Sequence, residues 1–283
     1  MPAANESLVD WLQGVVGSGS LRLPVFSDVA LEVQRVGRDG TAGLDEVERV
    51  IQRDQTLVAE VLRAANSSFF GGLTQAQTVR AALVRLGLEQ VSRIVFFVTE
   101  EAKYRLKNPH LAELAQMLWW HSAATAMAGQ WLAHKLHRKT LTEEVFLGGL
   151  VHDIGKLAIL TALDELATKD GELPSRPLID EVLTTMHERV GETLLTGWKI
   201  PDVYVRIARS HHDEAYDPND TALVLVRLAD QAARKTGVSL TPDASLLLSA
   251  TPEAHALGAS EVMLAELEIV LEDGVESLRG EKH

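Results

Sequence analysis

Five stretches of this chain repeat apolar residues at helical intervals and set a histidine or an aspartate on the same stripe. His121 falls among Leu114, Met117, Leu118, Thr125 and Ala128, and His187 among Leu183, Val190 and Leu194. His211 continues Val203 and Ile207 at an interval of four, and Asp230 follows Leu223 and Val226. The fifth stretch carries His152-Asp153-Ile154-Gly155-Lys156. A titratable group turned toward an apolar core is costly unless it is paired or bound to a metal. Any one of these histidines alone reads as a satisfied core residue, and the His211-His212 pair alone as imidazolium at the negative end of a helix. An aspartate on a buried face, by contrast, needs a cation. Taken jointly, His121, His152, Asp153, His187, His211, His212 and Asp230 point to one shared metal site.

The chain has no cysteine, so the donors of such a site are nitrogen and oxygen. Two divalent ions suit them, iron or manganese first, with magnesium, nickel and zinc also compatible. Adjacent helical residues diverge by about 100°. His152 can therefore reach one ion while the two oxygens of Asp153 bridge that ion and a second. Lys156, three residues on, could hold an anionic oxygen such as a phosphate's. Two cations so placed could activate a shared water and neutralise a phosphoryl group during in-line attack. Hydrolysis of a phosphate ester is the reaction class this set suits, with Asp153 and Lys156 as the catalytic residues.

The elements that must bring these residues together are helices. Stripes of period 3.6 run through the whole sequence and period-2 alternation is scarce, which predicts an all-α protein. Even the β-rich run Ile94-Val95-Phe96-Phe97-Val98 has helix-favouring flanks. The expected order begins with an amphipathic lead over residues 1–16, a Gly17-Ser18-Gly19-Ser20 joint and an extended Leu21-to-Asp28 stretch. A helix through Val36 and a glycine-rich turn at 37–43 come next. Helices are then expected at 44–51, 56–65, 78–86 and 89–105, with Asn66-Ser67-Ser68 capping a helix end rather than doing chemistry. Asn108-Pro109 marks a boundary. A long helix follows at 111–137, then one carrying Phe146 through Leu160, and others at 178–196, 202–212, 221–236 and 259–278. The domain plan is a lead and linker (1–20), an N-terminal helical part (21–108), a helical core with the metal site (109–236) and a C-terminal helical extension (237–283).

Composition narrows the function. A net charge of −13 argues against nucleic-acid binding, which needs an excess of Lys and Arg. The basic run Lys135-Leu136-His137-Arg138-Lys139 reads as the solvated end of a helix. No stretch reaches the roughly 20 continuous apolar residues of a membrane helix, and the opening residues lack the basic start and apolar block of a secretory signal. A cytoplasmic protein is expected.

The His-Asp pair followed by Ile-Gly-Lys resembles the HD superfamily of metal-dependent phosphohydrolases. The order His121, His152-Asp153, His187, His211-His212, Asp230 resembles the bimetallic pattern of the HD-GYP phosphodiesterases. That resemblance implies metal ligation by these residues and a substrate phosphate facing Lys156. His211-His212-Asp213-Glu214-Ala215-Tyr216 is not followed by the Gly-Tyr-Pro element, so cyclic-di-GMP hydrolysis is not implied. Several runs in order are similar to the HDOD (HD-related output domain) family: Leu21-Arg22-Leu23-Pro24-Val25-Phe26, Asp54-Gln55-Thr56-Leu57, Leu62 to Phe70 and Ala82 to Gly87. Trp120-His121-Ser122, Gly148 to Lys156 and Gly197-Trp198-Lys199-Ile200-Pro201 continue the series. The resemblance implies a multi-helix HD-like bundle with an N-terminal helical subdomain, acting in bacterial signal transduction through contact with a partner protein. An active phosphohydrolase on a nucleotide or other phosphate ester is the alternative, and a metal site that stabilises or senses without turnover lies between them.

Overall fold

A computed structural model describes residues 7–18, 29, 32–33, 44–66, 75–170 and 172–279. The expected extended stretch at 21–28, most of the helix through Val36, the turn at 37–43 and Ser67 to Phe70 lie outside the described residues. Helices make up the architecture, and no strand occurs among the described residues. The chain divides into two compact units: residues 23–104, and residues 1–22 together with 105–283.

The first helix, α1 (Leu8–Gly17), belongs to the second of these units. Within the 23–104 unit lie α2 (Leu44–Ile51), α3 (Gln55–Ala65), α4 (Val79–Leu86) and α5 (Leu88–Glu101). Their apolar stripes meet in one core that includes Ile51, Leu57, Val61, Leu83, Val91 and Val95. Asp54 caps α3, its Oδ1 accepting from the N–H groups of Thr56 and Leu57. At the other end of α3 the Asn66 amide brackets Ala76, donating to its carbonyl at 2.9 Å and accepting from its N–H at 2.7 Å. Asn66 is thus a structural clasp, as its type suggested. The β-rich run 94–98 lies inside α5, because flanking helix formers and a buried stripe outweigh local propensity.

The other unit is built around α6 (Pro109–Lys135), which packs against α7 (Thr142–Val151), α8 (Ile154–Asp170), α11 (Thr221–Lys235) and α13 (Glu261–Arg279). Around that centre, α9 (Arg176–Gly197) packs on α8 and on α10 (Asp202–Ser210), and α12 (Pro252–Leu257) packs on α11. Helix α1 lies against α8 and α9 with Leu12 fully buried. The start of α6 is tied down twice. Asn108 Oδ1 accepts from the N–H groups of His110 and Leu111, and the buried Asp164 carboxylate of α8 accepts from those of Lys107 and Asn108. Alanines at 124, 128, 229, 232 and 233 let α6 and α11 approach closely, which brings His121 and Asp230 within reach of each other.

Several boundaries differ from the sequence reading. The expected helix from Phe146 to Leu160 is two helices, and His152-Asp153 forms the turn between them. α6 ends at Lys135, with His137 at φ +56°, and α10 ends at Ser210, so His211 and His212 follow the helix instead of closing it. The short α12 was not anticipated; Gly258, at φ +64°, separates it from α13. The most apolar 18-residue window within Lys139–Lys169 has a mean hydropathy of 1.5, but 83% of it is buried inside the protein, so its apolarity is used by the core.

Candidate metal centre

Five segments deliver the donors. His121 stands in the middle of α6, His152 and Asp153 at the α7–α8 turn, His187 in α9, His211 and His212 just past α10, and Asp230 in α11. All of the residues expected at the site converge. They form two groups of potential ligands, one of His121, His152 and Asp230, the other of Asp153, His187, His211 and His212. Every member is buried except His212.

In the first group, His121 Nε2 lies 3.2 Å from His152 Nε2, 3.0 Å from Asp230 Oδ1 and 3.5 Å from Asp153 Oδ2. In the second, His187 Nε2 lies 3.2 Å from His211 Nε2 and 3.5 Å from Asp153 Oδ1, and His211 Nε2 lies 3.3 Å from that same oxygen. The two oxygens of Asp153 are therefore divided between the groups. An ion about 2.1 Å from each donor sets neighbouring donors ~3.0 Å apart in octahedral and ~3.4 Å apart in tetrahedral coordination. The observed separations, 3.0–3.5 Å, are of the size such a coordination shell would need.

The ring orientations explain why these contacts are not ordinary hydrogen bonds. His121 Nδ1 donates to the Val238 carbonyl at 2.8 Å, His152 Nδ1 to that of Gly149 at 2.7 Å, and His187 Nδ1 to that of Thr184 at 3.1 Å. His211 Nδ1 lies 3.0 Å from the Ala208 carbonyl. In its neutral form, each ring held this way turns its Nε2 lone pair inward. Burial pushes His152 and His187 down to about 4 and His211 well below its usual range, so these rings stay neutral near pH 7. Two facing lone pairs at 3.2 Å repel unless a cation lies between them. Asp153 Oδ1, fully buried, accepts no hydrogen bond. That orphaned carboxylate oxygen, set among imidazole nitrogens, fits a divalent metal and little else.

Electrostatics favour the ligating forms of the carboxylates too. Burial alone would raise Asp153, but the Lys156 ammonium outweighs it and holds the carboxyl well below the usual range. Asp230 is likewise held below its usual range despite its burial. Lys156 Nζ donates to Asp153 Oδ2 at 2.7 Å and is partly exposed, so the structure joins it directly to the shared carboxylate.

Two glycines make the geometry possible. A Cβ on Gly149 would lie 2.7 Å from the Ala126 Cα of α6, and one on Gly155 would lie 1.9 Å from the His187 carbonyl oxygen. Helices α7 and α8 can approach α6 and α9 this closely only without side chains there.

Sequence reasoning missed the groups that hold the ligands in place. The carbonyls of Gly149 and Val238 carry no side-chain signal. Glu188, next to His187, accepts from the His212 N–H at 3.2 Å. Arg227, a buried charge within the apolar run of α11, could have been found by the same test that found Asp230.

Comparison with known proteins agrees with this fold. The chain is 23% identical over 204 residues to an uncharacterised protein of Treponema pallidum (strain Nichols), 70% of this chain but 39% of that protein, so it spans about two fifths of this relative's length. The crystal structure of an HDOD domain protein of unknown function from Geobacter sulfurreducens superposes with a TM-score of 0.69 at 22% identity, covering 95% of this chain and 97% of that one. A protein from Shewanella amazonensis SB2B, provisionally named a metal-dependent phosphohydrolase, gives 0.64 at 21% identity, with 95% and 98% covered. The HDOD domain family model matches residues 23–214. With two thirds of its length matched in this way, the chain belongs to the HDOD family.

Proposed function

We propose that this protein is a bacterial signal-transduction module, acting in the cytoplasm, that keeps a dinuclear divalent metal centre and relays its state through contact with a partner protein. The observation that carries the metal half of this reading is Asp153, whose two buried oxygens are split between two histidine groups. Family membership carries the signalling half. Iron or manganese suits a centre of imidazole and carboxylate donors without thiolate. Purified protein analysed by inductively coupled plasma mass spectrometry should hold two equivalents of divalent metal. Metal-free protein whose thermal stability is unmoved by added iron, manganese, nickel, zinc or magnesium would remove the reading.

One observation favours hydrolysis of a nucleotide or other phosphate ester as a second reading. The second donor group is not sealed, because His212 is exposed and Lys156 partly so. Divalent ions bound there would supply concentrated positive charge for a phosphoryl group. Lys156 would add its ammonium and keep Asp153 oriented, and the four carbonyl-bonded rings would hold their lone pairs fixed. Release of p-nitrophenol from a generic phosphodiester, lost in a folded Asp153→Ala variant, supports this reading. No turnover across a nucleotide panel with both ions present refutes it and leaves the signalling reading in place.

A further inference from the structure

The HDOD match ends at residue 214, yet the metal centre is held from beyond that point. Val238 supplies the carbonyl that fixes the His121 ring. The second donor group is held by Arg227 of α11, whose guanidinium is the hub of a small buried network. Its Nη1 donates to the carbonyls of Ser210 and His211 at 3.0 and 2.9 Å, and its Nε to Glu253 Oε1 at 2.7 Å. Tyr216 covers the guanidinium at 3.9 Å from its ring centroid. Glu253, only 1% exposed, comes from α12.

This arrangement has a specific mechanical meaning. α10 ends at Ser210, so the carbonyls near its end lack helical partners, and the two histidines that follow would be free to swing. Arg227 takes two of those carbonyls in one planar fork. Glu253 neutralises the arginine and sets the direction of the fork. Glu188 fixes the next peptide through the His212 N–H. Among the described residues, no hydrogen bond or ion pair joins Arg227, Glu253 or Glu188 to His121, His152 or Asp230.

Building on the dinuclear reading, we propose that Arg227 and Glu253 are positioning residues for the His187–His211–His212 half-site. The segment after α11 is then part of the frame of the metal centre. A change in the seating of α12 would be felt at one ion and not at the other.

Cobalt(II) titration of metal-stripped protein tests this, with the visible d–d spectrum and the affinity of each ion as readouts. An Asp230→Asn background disables the first half-site, and a His187→Ala background disables the second. Adding Arg227→Lys, or separately Glu253→Gln, to the Asp230→Asn protein is expected to weaken the remaining ion about 10- to 100-fold and to alter its spectrum. In the His187→Ala protein the same changes should leave the remaining ion within about two-fold, as for groups that do not share partners. Equal weakening in both backgrounds, or none in either with circular dichroism unchanged, overturns the positioning role. Wild-type protein that binds no cobalt refutes the metal centre itself, a separate failure. If Arg227→Lys does not fold, Tyr216→Leu leaves the Arg227 bonds to Ser210, His211 and Glu253 in place and removes the ring that covers the guanidinium. It should weaken the second ion alone, and an unchanged second ion refutes the proposal.

Discussion

Replacing Gly155 by alanine adds one methyl group at the tightest glycine contact among the described residues. Its Cβ would sit 1.9 Å from the carbonyl oxygen of His187, where ordinary contact begins near 3.4 Å. The atom it meets is backbone, so no side chain can rotate away. Helices α8 and α9 would have to separate by about 1.5 Å, and His187 would travel with α9. Overpacking of this kind costs about 1–3 kcal/mol, and the upper end applies when the obstruction is main chain. Alanine's better helix propensity returns only about 1 kcal/mol. The net loss should be about 2 kcal/mol, or ~4–8 °C in Tm for a domain of this size. A shift of this magnitude at His187 should also empty the second half-site. The assay is differential scanning calorimetry with and without added metal, beside Gly197→Ala as a control. A Cβ at Gly197, the last residue of α9, meets nothing within 4 Å, so that variant should be neutral or slightly stabilising. If Gly155→Ala proves as stable as wild type and binds two ions, the close approach of α8 and α9 is wrong.

Asp153→Asn should cost both ions at once, because its oxygens are divided between the groups, whereas Asp230→Asn should cost one; metal stoichiometry after desalting distinguishes these outcomes. Metal-stripped protein should lose stability as pH falls from about 6.5 to about 4. His152 and His187 have folded pKa values of about 4, below their unfolded value, so in that window the unfolded chain binds more protons and acid favours it. A urea midpoint that stays flat over this range would contradict the buried neutral rings. Asp164→Ala leaves the N–H groups of Lys107 and Asn108 without their acceptor and should cost about 1–3 kcal/mol in chemical denaturation while leaving metal content intact.

His121, His187 and Asp230 were legible because each breaks the apolar rule of the helix it sits in, His211 because it continues an apolar stripe with His212 beside it, and His152-Asp153 through the motif they open. Helices were legible too, with period 3.6 surviving even the β-branched run around Val95. The break at His152-Asp153 was not legible. It depends on Gly155 seating against the His187 carbonyl of another helix, and no local propensity encodes that contact. Nor did periodicity show that α10 stops at Ser210, because His211 keeps the interval of four although the helix has ended. The carbonyls of Val238 and Gly149 lay beyond any reading of side chains, and α12 was too short for its pattern to stand out.

Because main-chain oxygens grip all four inward-facing rings, admitting an ion requires almost no rearrangement, whereas expelling one means giving up several ligand bonds. Capture should therefore be fast and escape slow. A centre of this kind records whether an ion has been supplied in the past, and follows its momentary concentration poorly.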